Sequence, residues 1–292
     1  MSLRVVRPGT FSIVVDAGRP TTRRLGVPAG GPADRTALAL GNALVGNPPF
    51  AAALEITLTG PALVATVDVG MCVFGAPFRV RRDGDPVEPG HTFTLRAGQT
   101  LDIGGTPDRC RAYVCVPGGF VVPPVLGSAT AFGPVREGDE LPCAGSRLPG
   151  RSIDYAFSRL GRLRCLPGPQ ADWFDDAFFH TTYHVTPASN RMGVRLDGPP
   201  LTVPKRELVS EPVGPGAVQV TNEGKPIVLG VDGQTIGGYP KVAHVIDADL
   251  DRLGQLRPGD GVAFTKVTEE EAEHAGAAMR AGLGRWLRRL GL

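Results

Sequence analysis

Between residues 189 and 244, polar and charged side chains crowd beside glycines more densely than a core requires. Ser189-Asn-Arg-Met-Gly-Val-Arg195, Ser210-Glu-Pro212, Gln219 and Val231-Asp-Gly-Gln-Thr-Ile-Gly-Gly-Tyr-Pro-Lys-Val-Ala-His244 set Arg, Glu, Gln, Asp, Lys and His next to strand-like runs. Glycines beside such residues let the backbone approach a ligand closely. A guanidinium clamps a carboxylate or phosphate through two hydrogen bonds, whereas a lysine offers a compact positive point. Asp or Glu serves as a base or steers a proton-bearing group. Taken alone, these residues fit a small-molecule site and a set of surface turns closed by salt bridges equally well.

Other chemistries are less well supported. The chain has no G-x-x-x-x-G-K-[ST] phosphate loop and no G-x-S-x-G nucleophile elbow, and Gln219 stands where Gly214-Pro-Gly216 would need its third glycine. His180 and His184 would share one face of a helix as metal ligands, but Tyr183-His-Val-Thr186 reads as a strand and Pro187 follows, so no metal is expected. The five cysteines never form a C-x-x-C pair and read as reduced structural thiols. A net charge of +2 with interspersed signs gives no case for nucleic acid or an anionic membrane. No apolar stretch is long enough for a signal peptide or a bilayer span, so a cytoplasmic protein is expected.

The elements that must position the polar cluster are short. Forty glycines and 28 prolines among 292 residues exclude a mainly helical chain, while 42% hydrophobic residues spread along its length exclude disorder. What remains is a turn-rich, mainly β protein. Strands are predicted at Phe11–Val15, Leu54–Leu58, Leu63–Val69, Phe78–Arg82, Thr92–Leu95, Thr100–Ile103 and Ala112–Val116. In the second half they are predicted at Tyr183–Thr186, Ala217–Thr221, Ile227–Val231, Val242–Ile246 and Gly261–Val267. A helix is predicted over Ala33–Val45, with Asp34 at its start and Gly46-Asn-Pro-Pro49 as its stop. Helical turns are predicted within Ala248–Gln255. The tail from Thr268 reads as a helix opened by a Thr268/Glu271 capping box and closed by arginines. A small unit, R-x-G-[QD]-x-[LV], recurs at Arg96–Leu101, Arg136–Leu141 and Arg257–Val262, with a looser version at Val87–Phe93; each is a tight turn leading into a strand. Its presence in both halves suggests two similar β-barrels or sandwiches.

Further motifs carry a resemblance. Gly30-Gly-Pro-Ala-Asp34, Leu44-Val-Gly-Asn47, Ala53-Leu-Glu-Ile-Thr-Leu-Thr-Gly-Pro61, Pro117-Gly-Gly119 and Pro123-Pro-Val-Leu-Gly-Ser128 precede the polar cluster in the first half. With that cluster they resemble the KipA family, also described as allophanate hydrolase subunit 2, biotin-dependent carboxyltransferase-like protein, or the PxpC component of bacterial 5-oxoprolinase. The matches run in order from about residue 7 to 267. Departures fall in the first half. Gly30 stands in place of the usual serine, Ala129 in place of an arginine, and Thr130–Pro134 forms a shortened loop.

The resemblance implies two cyclophilin-like β-barrel domains, at 1–122 and 161–267, with a connector at 123–160 and a C-terminal helix at 268–292. It also implies two partner proteins, one of the KipI type and one of the LamB/YcsF type. The complex would use ATP, with Mg, to hydrolyse 5-oxo-L-proline to L-glutamate. A PxpC-like component needs cations for carboxylate and phosphate, which Arg191, Arg195, Lys241 and His244 would supply, and acceptors for a ring N–H, which Glu211, Asp232, Gln219 and Gln234 would supply. Glu211, Asp232, Lys241 and His244 are the expected catalytic residues. Asn190, Arg191, Arg195, Gln219, Gln234 and Tyr239 are expected to bind substrate, together with Asp34, Asn42 and Glu55 in the first half. The resemblance leaves two alternatives: a regulatory protein that antagonises a KipI-type histidine-kinase inhibitor, and the carboxyltransferase part of a urea-carboxylase-like system. The latter needs biotin on another chain, because Ala278-Met-Arg-Ala281 offers no lysine for its attachment.

Overall fold

The computed structural model describes residues 1–292, which divide into two compact units. The first takes in Met1–Arg19, Gly30–Ala156 and Leu283–Leu292; the second takes in Pro20–Ala29 and Phe157–Gly282. Of the connector expected at 123–160, residues 123–156 are therefore part of the first unit and 157–160 of the second.

In the first unit, β1 (Ser2–Arg7), β2 (Phe11–Val15) and α1 (Arg35–Leu44) precede β3 (Ala53–Thr57), β4 (Ala62–Ala65) and β5 (Val69–Gly75). Then come β6 (Val80–Arg82), β7 (Asp85–Val87), β8 (Thr92–Leu95), β9 (Thr100–Ile103), β10 (Arg111–Cys115) and β11 (Glu140–Pro142). They form two sheets, β11-β1-β4-β9-β6-β7 and β2-β3-β10-β5-β8. Leu3, Leu63 and Leu101 from one sheet join Leu54, Met71 and Val114 from the other in a single core. Asp34 caps α1 by accepting the Ala37 N–H at 2.8 Å, as the sequence predicts.

The second unit is a closed barrel. Its elements are β12 (Arg162–Pro167), α2 (Ala177–His180), β13 (Thr182–Val185), β14 (Gly193–Asp197), β15 (Glu211–Pro212), β16 (Ala217–Val220) and β17 (Pro226–Leu229). They continue with β18 (Ile236–Gly237), β19 (Lys241–Val245), α3 (Leu250–Gly254), β20 (Gly261–Lys266) and the start of α4 (Glu269–Arg289), whose residues from Leu283 on belong to the first unit. Seven strands close in the order β12-β19-β16-β17-β14-β13-β20, and β15 pairs with β18 as a separate two-stranded ribbon. Alternation along each strand fills the interior with Val194, Leu196, Val218, Val220, Val228 and Val262. Phe178 stacks on Phe264 at 4.5 Å, beside Tyr183, and plugs one part of this core. Each such aromatic contributes on the order of 2–3 kcal/mol by burial.

The recurring sequence unit is one physical device. Gly98, Gly138 and Gly259 all adopt positive φ (83°, 87° and 93°), which only glycine tolerates without strain. Each donates its N–H at 2.8 Å to a strand carbonyl, that of Ala65, Val5 or Val185. The side chain of the next residue, Gln99, Asp139 or Asp260, accepts the N–H of the arginine that opens the unit, at 2.7–2.9 Å. At the start of α4, Thr268 N donates to Glu271 and Glu271 N donates to Thr268 Oγ1, the predicted reciprocal cap. Near its end Trp286 meets the ring of Tyr155 edge-on, with centroids 5.7 Å apart. No helix is long and apolar enough to cross a membrane.

Candidate functional site

The barrel wall has an outer face, and the same alternation that builds the core decides what stands on it. On β14, Val194 and Leu196 point inward, so Gly193 and Arg195 point outward; on β17, Val228 points inward and Ile227 and Leu229 outward. On β16, Val218 and Val220 are core, which leaves Gln219 outside. Strand register then aligns these residues. Arg195 pairs with Ile227, Ile227 with Gln219, and Gln219 with Lys241, giving a row across four neighbouring strands. A bulge between Val218 and Gln219 shifts the register that would otherwise oppose Gln219 to Val242.

Arg195, Ile227 and Gln219 of this row floor a pocket of about 310 Å³, and Lys241 lies outside its lining. Asn190 and Met192 close one side, Gln234 and Tyr239 another, and Thr221 and Glu223 arrive from the turn between β16 and β17. Of the expected binding residues, the pocket thus gathers Asn190, Arg195, Gln219, Gln234 and Tyr239. It adds Met192, which lies within the Ser189–Arg195 motif but has no expected role, and Thr221, Glu223, Ile227 and Leu229, which no motif singles out, although outward alternation on β17 is a legible signal for the last two. The Arg195 guanidinium has no protein partner. The Glu223 carboxyl is held below its ordinary range by the Thr221 hydroxyl.

Gln219 is 2% exposed, because the segment carrying Gln234 and Gly237 covers it. A Cβ on Gly237 would stand 2.4 Å from Gln219 Nε2 and 2.7 Å from Gln234 Nε2, so any side chain there must displace one or both amides. Gln234 Nε2 donates to Gln219 Oε1 at 3.3 Å, and Gln219 Nε2 is buried without a hydrogen-bond partner.

Beside Gln219, Lys241 Nζ lies 2.5 Å from Glu211 Oε1. The ammonium is 5% exposed and the carboxylate 37%. Glu211 is brought there by the ribbon, in which it opposes Gly237. Gln170 braces both partners, donating to Glu211 Oε1 at 2.9 Å and accepting the Lys241 N–H at 3.0 Å. The Lys241 ammonium, helped by the Gln170 amide, holds the Glu211 carboxyl below its ordinary range.

The remaining expected residues lie elsewhere. Arg191 grips Asp232 with two hydrogen bonds of 2.7 and 2.9 Å, and the Asp232 N–H returns to the Arg191 carbonyl at 3.1 Å. This clamp ties the stretch of chain that carries Asn190 and Met192 to the Gly230–Gly233 turn. His244 is outside the pocket lining and hydrogen-bonds the Pro215 carbonyl; burial lowers its pKa, partly opposed by Asp247 and that bond. In the first unit, Asp34 caps α1. Asn42 donates to the Ala51 carbonyl at 2.9 Å and accepts from Asn47 at 2.8 Å. Glu55 accepts from the Ala33 N–H and the Tyr113 hydroxyl, each at 2.8 Å, and faces Arg111. All three are buried, and the contacts named here brace the fold around them.

A closed barrel with a polar, cation-bearing pocket on its outer wall defines a mainly β module with a candidate small-molecule site. A family model places it further: residues 25–266 match the carboxyltransferase domain, subdomain A and B, and the chain belongs to that family. It is 37% identical to the C subunit of the Escherichia coli 5-oxoprolinase over 92% of this chain and 93% of that protein. It is also 29% identical to the Saccharomyces cerevisiae urea amidolyase over 99% of this chain but only 18% of that much longer protein. Among solved structures, the K. lactis urea amidolyase superposes with a TM-score of 0.87 and 26% identity, over 98% of this chain and 20% of that one.

Proposed function

We propose that this chain is the PxpC component of an ATP-dependent 5-oxoprolinase, acting with a KipI-type and a LamB/YcsF-type partner to convert 5-oxo-L-proline to L-glutamate. The observation that carries this reading is the pocket floor formed by Arg195, Ile227 and Gln219, with the Lys241–Glu211 pair next to it in the row. It offers a cation for a carboxylate, an apolar surface for a ring and polar groups for an amide, and the near full-length likeness to the E. coli protein supports it.

An unactivated lactam resists water. In the proposed reaction the γ-phosphoryl group of ATP moves to the amide oxygen and ADP leaves. Water adds at the carbonyl carbon, and the ring C–N bond breaks as the nitrogen takes up a proton. A second water displaces phosphate from the resulting acyl phosphate to give the glutamate side-chain carboxylate. This chain's part is to hold and orient the lactam. The pocket sets one free cation, Arg195, with one carboxylate, Glu223, a lining that suits a small amide acid better than a triphosphate; ATP and Mg are assigned to the complex as a whole. The test is co-expression with both partners followed by a joint assay of ADP and glutamate. Glutamate formation that depends on both ATP and 5-oxoproline is expected. A stable complex that releases none overturns the reading.

The carboxyltransferase family model and the full-chain match to urea amidolyase favour one second reading, carboxyl transfer from a biotin carried on another chain. Bicarbonate- and biotin-dependent carboxylation of urea by the same preparation would establish it instead.

A further inference from the structure

Gln170 touches both members of the Lys241–Glu211 pair, and its orientation is fixed by a group that cannot be reversed. Its Oε1 accepts the Lys241 backbone N–H at 3.0 Å, so the other end of the amide is the NH2 group, which donates to Glu211 Oε1 at 2.9 Å. A flipped amide would set NH2 against the Lys241 N–H and oxygen against the carboxylate, two repulsions in place of two hydrogen bonds. The Gln170 N–H donates in turn to the Lys241 carbonyl at 3.2 Å. Gly168 lets the turn come this close: its N–H reaches the Val242 carbonyl at 3.0 Å, and a Cβ on it would collide with the Lys241 carbonyl oxygen. The turn that follows β12 is thus wrapped against the backbone of Lys241, with Gln170 buried inside it.

The two oxygens of Glu211 are left unequal. Oε1 receives both the Lys241 ammonium and the Gln170 amide, while Oε2 has no protein partner on a side chain that is 37% exposed. A carboxylate held by one donor pivots about its Cγ–Cδ bond and exchanges its oxygens; a second donor at the same oxygen removes that freedom. We propose that Gln170 is a positioning residue for Glu211: by holding Oε1 on the ammonium, it leaves Oε2 as the oxygen that accepts an N–H or O–H from a reactant. This rests on reading the pair as part of the reacting site. The pair adjoins the pocket through Gly237, which opposes Glu211 in the ribbon and packs on Gln219 and Gln234 of the lining. Lys241 is the charged group that faces Glu211, and the Gln170 amide adds to its effect in holding the carboxyl below its ordinary range.

The experiment follows the Glu211 carboxyl and the Gln170 NH2 group of the full chain by NMR against pH. In the wild-type chain the two resonances are expected to titrate together, a measurement that stands even if a variant fails to fold. Gln170→Glu keeps an acceptor for the Lys241 N–H but removes the donor to Glu211; Gln170→Met removes both. The Glu211 titration is expected to move up in both variants, and further in Gln170→Glu, where a second carboxylate faces it. In the complex reconstituted with both partners, each variant is expected to lower kcat about tenfold with KM within about twofold. The acid limb of the pH profile should move up with the Glu211 titration, which a purely structural role would leave in place. A Glu211 titration unmoved in Gln170→Glu, or a wild-type Gln170 NH2 resonance indifferent to it, overturns the proposal. So does an unchanged kcat in Gln170→Glu, with the 5-oxoprolinase reading left intact. A moved titration beside a wild-type complex that forms no glutamate keeps the positioning of Glu211 and removes that reading, so the two fail separately.

Discussion

Lys241 and Glu211 meet at 2.5 Å although they belong to different sheets: the lysine to the barrel wall, the glutamate to the two-stranded ribbon above it. The pair is asymmetric, because the ammonium is enclosed and the carboxylate is half open to water. Glu211→Gln therefore strands a buried cation, and is expected to destabilise the protein by about 2–3 kcal/mol, below the full cost of a deeply buried pair. Lys241→Met with Glu211→Gln is expected to recover most of that loss. A double-mutant cycle by urea denaturation checks it, and additive single effects would refute the coupling.

The same pair sets an acid dependence. The folded Glu211 pKa lies below its ordinary value, so its stabilisation is present above the unfolded carboxylate range and is lost as pH falls through the folded value. In Lys241→Met the Glu211 carboxyl should titrate at higher pH, a shift that side-chain carboxyl NMR reads directly.

His244 gives a second window at higher pH. Burial lowers its pKa, so between the folded value and about 6.5 the unfolded chain binds the extra proton. Stability should fall as pH drops through that window and be unaffected by this residue above it. His244→Gln should flatten the slope of unfolding free energy against pH below about 6.5, measured by denaturant titration.

At Gly237 a single methyl group is the probe. Its Cβ would stand 2.4 Å from Gln219 Nε2, so Gly237→Ala must displace one or both glutamines. The expected cost in stability is modest, about 1–2 kcal/mol, because the contact is with side-chain ends rather than backbone. The expected cost in 5-oxoproline affinity is larger, at least about tenfold, because both amides move. Thermal melts and calorimetry on the same sample separate the two effects.

What the sequence makes legible is local. The R-x-G-[QD] corners and the Thr268/Glu271 cap depend on residues within a few positions of each other, and the structure contains the hydrogen bonds that their spacing implies. What it conceals depends on distant partners. Glu223 reads as an ordinary hairpin corner until the strand register places it at the pocket, and Gln170 has no motif at all. β1 escapes a sequence reading because its burial pattern loses alternation toward Arg7, and residues 123–156 read as a connector because their one strand, β11, is three residues long. In the reverse direction, Asp34, Asn42 and Glu55 carry the family's spacing, but the structure uses them inside the first unit as a cap, a brace and a buried network.

Asn42 offers the sharpest separation of these roles. It is fully buried; its NH2 group serves the Pro49 and Ala51 carbonyls, and its oxygen accepts from Asn47, whose own amide holds the Val116 carbonyl and the Gly118 N–H. Asn42→Ala removes the centre of this relay and leaves buried carbonyls and an amide without partners, so a loss of about 2–3 kcal/mol is expected. If the side chain serves only the fold, the reconstituted complex carrying Asn42→Ala should keep its KM for 5-oxoproline at a temperature where the variant remains folded. A raised KM with unchanged melting temperature would instead return Asn42 to the substrate-binding residues that the family resemblance implies.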